Sequence, residues 1–427
     1  MITLNTENKV STKIRLEDLY NSDREKIAEQ VVRFNNLSNT FVKIFNLSPT
    51  NYFSTPGRTE ISGNHTDHNL GKVIAASINL DSIACVTQND SIVEIYSEGY
   101  ENHFVVKLDS LNVISSEVGT TNSLIRGIAS RFVQLGYNIG GFKACVTSDI
   151  LQGSGLSSSA SIEVLIGTIF NHLYNEGKIT PEEIAKVGQY AENIYFKKPC
   201  GLMDQMACAI GGIISIDFSD PDNPAVDKLD FEFQSTNYKL VVVDTEGSHS
   251  NLIGDYAAIP FEMKQVANYF GKEYCSEISF EELLFKVKSL REEVSDRAIL
   301  RALHFLEENK RVDQQKDALK KNNFDKFLQL VNESGNSSFK YLQNIFSPKE
   351  IERQEVSLAL ALSDIFIKQN GKGACRVHGG GFAGTIQLFL PNDLIEDYKK
   401  FITKVFSNNS VKVLSIRNFG SVEVKLD

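Results

Sequence analysis

The run "TPGRTEISGNHTDHNLGKV", Thr55 to Val73, gathers an Arg, a Glu, two His, an Asp and two Asn between glycines. It carries little hydrophobic pattern and leads straight into the apolar "VIAASINLD". A second run, "GSGLSSSAS" from Gly153 to Ser161, lies between a strand-like segment and an apolar helical one. Glycines there let backbone approach a ligand closely, and a helix N-terminus points unpaired N–H groups at it, which makes an anion site. The three consecutive serines add hydroxyls suited to phosphate oxygens or a metal. The alternative is a flexible Gly/Ser turn that only caps the helix. In "PCGLMDQMACAIGG", Asp204 sits among apolar neighbours. A carboxylate in such surroundings is costly unless paired, and Arg58 is the candidate partner. The alternative for Asp204 is a helix N-cap. Glu192, twelve residues upstream on a helical segment, reads equally as a solvated surface residue. Finally, "RVHGGGFAGTIQLFL", Arg376 to Leu390, puts three glycines before a strand. That costs backbone entropy, so either something approaches closely or the chain makes a tight hairpin.

These residues need elements to hold them. Residues 23–38 predict a helix, with Ile27, Val31 and Phe34 on one face. The segments 83–88, 91–98, 103–109 and 141–150 read as strands, and 121–136 as a helix stopped at Gly136. Thr180, Pro181 and Glu183 predict a capped helix start with a capping box. Strands follow at 213–218 and 238–245, then a charged, helix-rich stretch from about 261 to 369, then "GTIQLFL", "VKVLSIRN" and "SVEVKL" as strands. The pattern is α+β in two halves with a boundary near residue 200.

Composition narrows the class. The 427 residues are 42% hydrophobic and 23% charged, enough apolar material for a sizeable core. A formal net charge of −10 argues against nucleic acid as main partner. The six Cys are scattered without a CxxC, as expected for reduced thiols rather than a metal site. No apolar run approaches the ~20 residues of a membrane span, and the N-terminus lacks a signal-peptide pattern. These features predict a soluble, cytoplasmic protein without membrane partners. Walker A (GxxxxGK[ST]), Rossmann GxGxxG (Ser158 stands where Gly is required) and protein-kinase HRD and DFG patterns are all absent.

Together the four segments resemble the galactokinase branch of the GHMP kinases (galactokinase, homoserine kinase, mevalonate kinase, phosphomevalonate kinase). "GRTEISGNHTDHN" is similar to that branch's sugar-binding signature, approximately Gly-Arg-x-Asn-x-x-Gly-Glu-His-x-Asp-Tyr-Asn. "GSGLSSSAS" resembles its phosphate loop, "PCGLMDQ" the segment with its catalytic Asp, and "VHGGGFAGT" its third, Gly-rich motif. Order and spacing agree over roughly residues 42–427. The resemblance implies a two-domain GHMP fold, with an N-terminal domain of ribosomal protein S5 domain 2-like type (1–200), a ferredoxin-like C-terminal domain (201–427) and a cleft between them. It implies transfer of the γ-phosphate of ATP to the C1 hydroxyl of a hexose. A sugar offers many hydroxyls and almost no charge, which explains the density of donors and acceptors in the first run. Arg58 and Asp204 would be the catalytic pair, with Asp204 as general base. Asn64, His65, Asp67, Gly201 and Tyr256 would bind sugar. Gly153, Ser154, Gly155, Leu156, Ser157, Ser158 and Ser159 would hold the ATP phosphates, and Ser158 and Glu192 would hold Mg²⁺. A monomer that binds only sugar and ATP is expected.

The chain also departs from the family pattern. Asn64 stands where the family has Glu, Glu60 where it has Asn, and His68 where it has Tyr. There is no Trp for the adenine end. The family Glu recognises the C6 hydroxyl of galactose, so Asn64 opens a reading with a uronic acid or a pentose as substrate. A non-catalytic sugar- and ATP-binding sensor is the reading from another class; it is at odds with the presence of Asp204 and "SGLSSSAS".

Overall fold

The strand Lys72–Asn89 organises the first half of the molecule. The structure, a computed structural model, describes residues 13–20, 24–150, 155–247 and 252–426. Along one edge Lys72–Asn89 pairs antiparallel with Asn51–Ser62. Along the other it pairs with two strands in turn, Ile213–Asp217 over its first part and Gly141–Ser148 over its second. The sheet runs Ile14–Arg15, Val422–Lys425, Asn51–Ser62, Lys72–Asn89, Gly141–Ser148, Ile92–Ser97, Phe104–Lys107, and Ala225–Leu229 adds to Ile213–Asp217. Helix Ser158–Tyr174, buried along most of its length, joins Thr121–Gln134, Pro181–Tyr190 and Met203–Ile210 in a core centred on Ile128, Phe142, Ile169 and Ile214.

The second sheet has four antiparallel strands in the order Ala374–His378, Thr385–Pro391, Tyr238–Asp244, Val411–Leu414. Taken along the chain the order is 2-3-1-4 with helix Ile395–Ile402 before the last strand, the ferredoxin-like arrangement. Helices Ile253–Tyr269, Phe280–Leu290, Asp296–Lys320, Phe324–Ser337 and Glu355–Asn370 form the expected helix-rich region. The two sheets share a core: Ile61, Ile74 and Ile78 of the first pack with Leu240, Val242 and Leu414 of the second. Among the described residues no helix is long and apolar enough to cross a membrane.

Three expectations need correction. Sheet membership does not divide at residue 200: residues 213–217 return to the first sheet along Lys72–Asn89, 225–229 along 213–217, and 422–425 along the outer edge of Asn51–Ser62. The first long helix runs Arg24–Phe45, further than the periodicity indicated, because Phe41 continues the buried face of Phe34 and Leu37. At Thr180 the side chain accepts from the Glu183 N–H with Pro181 at the first turn, which is half of a capping box.

Candidate active site

Arg58 lies in Asn51–Ser62 where its register against Lys72–Asn89 slips, between Pro56 and Arg58. A slip of this kind re-aims a side chain. The Arg58 backbone N–H donates to Leu156 O at 3.1 Å. Its Nε and Nη2 donate to Asp204 Oδ1 and Oδ2 at 2.6 and 2.7 Å, and its Nη1 to Gly155 O. Asp204 is the second residue of helix Met203–Ile210, after Leu202 at the cap position, so the N-cap reading does not hold. Ser157 donates its hydroxyl to Asp204 Oδ2. Ser157 is itself the left-handed N-cap residue of Ser158–Tyr174 (φ 58°), and its hydroxyl makes no cap bond. Burial pushes the Asp204 carboxyl up, but the Arg58 charge and hydrogen bonds, then Ser157, outweigh it and hold it below the usual carboxylate range. About a third of the Asp204 side chain (32%) stays accessible.

Two clefts flank this network, and Arg58 lines the smaller of them. The larger, about 970 Å³, is lined by Ser158, Ser159, Glu163, Glu192 and Lys198 together with Tyr100, Phe104, Leu124 and Phe196. The smaller, about 220 Å³, is lined by Arg58, Glu60, Gly63, His65, Asp67, His68, Val73, Met203, Gly379 and Gly380. The contacts Arg58–Asp204–Ser157, with Ser158 next in the chain, run from one cleft to the other. Gly153 and Ser154 lie outside the described residues. Leu156 is fully buried, and its carbonyl accepts the Arg58 backbone N–H. Gly155 has φ +71°, and a Cβ there would stand 3.2 Å from Thr385 Oγ1 and 3.3 Å from His378 Nδ1. The third Gly-rich motif therefore backs the loop that leads into helix Ser158–Tyr174.

In the smaller cleft Asp67 Oδ1 accepts the His68 N–H at 3.0 Å. Gly201 lies directly against Asp67: a Cβ there would stand inside van der Waals contact with Asp67 Oδ2. Burial, with Asp204 nearby, raises the Asp67 carboxyl. His65 Nε2 meets Gly380 O at 2.9 Å. A carbonyl only accepts, so Nε2 carries the proton, and Nδ1 accepts from His68 Nε2 at 3.3 Å. His68 Nδ1 then accepts from the Asn69 amide at 3.0 Å. Burial, then His65, lowers His68 to about 3, so it stays neutral. Both ring nitrogens of His65 are thus committed to protein, and it meets the cleft with its ring.

Asn64 departs from its expected place in the sugar site. Its side chain is fully buried. Nδ2 donates to Glu60 Oε1 (3.1 Å) and Gly379 O (2.7 Å), and Oδ1 accepts from Asn344 (2.7 Å) and Ser338 (3.3 Å). These use the full capacity of an amide and fasten the signature loop to the third motif. Tyr256 is also one layer back: its hydroxyl donates to Gly381 O at 3.0 Å and its ring covers Gly380. The serines before it lie outside the described residues. Glu192 sits in a widened π-turn, Ala191–Phe196, buried, with Oε1 accepting from Lys198 at 2.9 Å. The solvated-surface reading fails for it.

Three site residues escaped sequence reading. Glu163 is 1% exposed, and burial, then Glu192, pushes its carboxyl up to about 8. An acid inside the apolar run "SIEVLIGTIF" was the available signal. Gln205 bonds Glu163 and Glu192. His378 bridges Thr59 and Thr385 beneath Gly155, and burial, then Arg58 and Arg376, lowers it to about 3.

Two family models match: the GHMP kinases N terminal domain over residues 123–212 and the galactokinase galactose-binding signature over 39–88. The chain is 30% identical over 366 residues to a galactokinase of Glaesserella parasuis serovar 5, covering 83% of this chain and 89% of that protein. It is 28% identical over 395 residues to a galactokinase of Clostridium tetani, covering 90% and 94%. Its structure superposes on that of Lactococcus lactis galactokinase complexed with galactose with a TM-score of 0.77 at 25% identity, over 92% of this chain and all of that one. A mevalonate kinase shares the fold at a TM-score of 0.60 and 19% identity, over 86% of this chain and all of the other.

Proposed function

Because the chain belongs to the galactokinase branch of the GHMP kinases, and so transfers phosphate from ATP to the C1 hydroxyl of galactose, we propose that Asp204 accepts the proton of that hydroxyl while Arg58 holds both base and phosphate loop. The observation that carries this reading is the shared network of Arg58, Asp204, Ser157 and Gly155, which runs from Arg58 in the smaller cleft to the chain neighbour of Ser158 in the larger. A carboxylate has about four acceptor positions. Arg58 and Ser157 take three, which leaves one for a sugar hydroxyl. Arg58 has five N–H donors and uses three on Asp204 and Gly155, so two remain for phosphoryl oxygens. An Asp held well ionised is a weak base. That suits a loose phosphoryl transfer, in which the hydroxyl must be oriented first and its proton taken late.

The smaller cleft then takes the sugar, with Asp67 as its acidic acceptor and the His65 ring against it. The larger takes ATP, with phosphates at the N-terminus of Ser158–Tyr174 and the base beside Tyr100, Phe104 and Phe196. Ser158 and Glu192 fit Mg²⁺. Both offer hard oxygens to the larger cleft, and the Lys198 ammonium already occupies Glu192 Oε1 as a positive stand-in. When bound, that cation would neutralise charge on the phosphate chain. Asp204→Asn should keep galactose and ATP affinity, measured by calorimetry, and lower kcat at least ~100-fold. Turnover near the wild-type rate would remove Asp204 from the base role.

A further inference from the structure

Gln205 follows Asp204 in helix Met203–Ile210, about 100° further round the helix axis. Its amide nitrogen carries two protons and stands 3.0 Å from Glu163 Oε2 and 3.1 Å from Glu192 Oε2, with Cys200 Sγ further off at 3.7 Å, so each carboxyl group can take one proton. All three side chains are buried, Gln205 completely. They come from three elements: helix Ser158–Tyr174, the π-turn Ala191–Phe196 and helix Met203–Ile210. Each of those elements also carries one member of the proposed machinery: Ser158, Glu192 itself and Asp204. The bridge is incompletely satisfied. Glu163 Oε1 and Gln205 Oε1 are buried with no hydrogen-bond partner. Buried orphans of this kind carry their full desolvation penalty, so fold stability alone does not account for two acids and an amide here. An apolar trio would fill the same space without the cost.

We propose that Gln205 is a positioning residue that aims the Glu192 carboxylate into the larger cleft, and that Glu163 in turn fixes the Gln205 amide. Through this bridge the turn bearing Glu192 is held in register with the helix bearing Asp204. Lys198 cannot do the same, because its side chain is 60% exposed and makes a flexible ion pair from the solvent side. The inference rests on the reading of Glu192 as a cation ligand.

The test is Mn²⁺ affinity of the enzyme–ADP complex, read from the free-Mn²⁺ electron paramagnetic resonance signal, with galactose affinity measured beside it by calorimetry. Gln205→Met keeps the shape and removes both donors. It should weaken Mn²⁺ binding roughly 10–100-fold, the usual effect of losing a partner behind a metal ligand. Galactose affinity should stay within about twofold, which a general loosening of the fold would not allow. Glu163→Leu should weaken Mn²⁺ in the same direction. Glu163→Gln, whose carbonyl still accepts from Gln205, should restore it. Wild-type Mn²⁺ affinity in Gln205→Met overturns the inference, as do equal losses in Glu163→Gln and Glu163→Leu. Should Gln205→Met fail to fold, Gln205→Asn, too short to reach both acids, carries the same expectation. Glu192→Gln separates the two levels: if it leaves Mn²⁺ affinity unchanged, the cation reading fails; if it alone weakens binding, only the bridge fails.

Discussion

Asp204 and Glu163 are carboxyls of one site, yet their surroundings push them in opposite directions. Burial raises both, but Asp204 has Arg58 against it while Glu163 faces the second acid Glu192. The consequence for stability has a definite sign. Glu163 in the folded chain holds its proton to about pH 8, whereas the unfolded chain releases it near the ordinary value of 4.5. The folded state therefore binds more protons across that window, and stability falls as pH rises through it. Glu163→Gln should flatten this decline. Urea unfolding at about pH 5 and about pH 8, in chelator and without nucleotide, checks it. Equal pH dependence in wild type and variant would mean that Glu163 is ionised throughout. At this scale the sequence was legible where a residue type is unusual for its place, as with Asp204 among apolar neighbours. Glu163 carries the same signal, masked by the apolar run "SIEVLIGTIF" around it. Its pairing with Gln205 and Glu192, 42 and 29 residues away, depends on helix packing that no local pattern encodes.

Strand Asn51–Ser62 and the loop after it carry one exchange between them. Glu60 and Asn64 exchange the Asn and Glu of the family signature, and the two side chains are in contact, with the Glu60 carboxylate on Arg376 at 2.6 Å. One acid and one amide are thus kept while their order is reversed. Asn64→Glu would set a second carboxylate beside Glu60 and Gly379 O, both acceptors. It should lower unfolding free energy by about 1–3 kcal/mol through lost and unmatched hydrogen bonds. Adding Glu60→Asn should recover most of the loss. Denaturant unfolding of the two singles and the double decides it; a double no better than Asn64→Glu alone would show that order matters more than content. The third motif was legible as a place of close approach, and the contacts are Tyr256 on Gly380 and Asn344 on Gly381. The role of Asn64 was not legible, because its partners Ser338 and Asn344 come from a region that reads only as charged helix.

At the scale of the molecule the two sheets are joined by polar contacts as well as by their common core. Arg376, fully buried on the second sheet, bonds Glu60 Oε1 and Ile61 O on the first at 2.6 and 2.7 Å. Removing one member of a buried pair leaves a charge without compensation, at about 3–5 kcal/mol. Arg376→Met should show that loss in urea unfolding, and Glu60→Gln in the same background should restore part of it. An unchanged midpoint for Arg376→Met would place the join in the apolar core alone. The alternation of strands and helices in each half was readable from periodicity, but the return of Val422–Lys425 to the first sheet was not. A strand's alternation says that it has a partner and not which one. That return has a consequence for how the chain is made. Val422–Lys425 lies between Ile14–Arg15 and Asn51–Ser62, and buried Arg417 just before it donates to Asp81 and Ser54. The first sheet to be synthesised is therefore the last to be completed. A nascent chain holds its N-terminal strands with one edge open until residues 422–425 have been made, and that open edge is where an incomplete chain is exposed to wrong pairing.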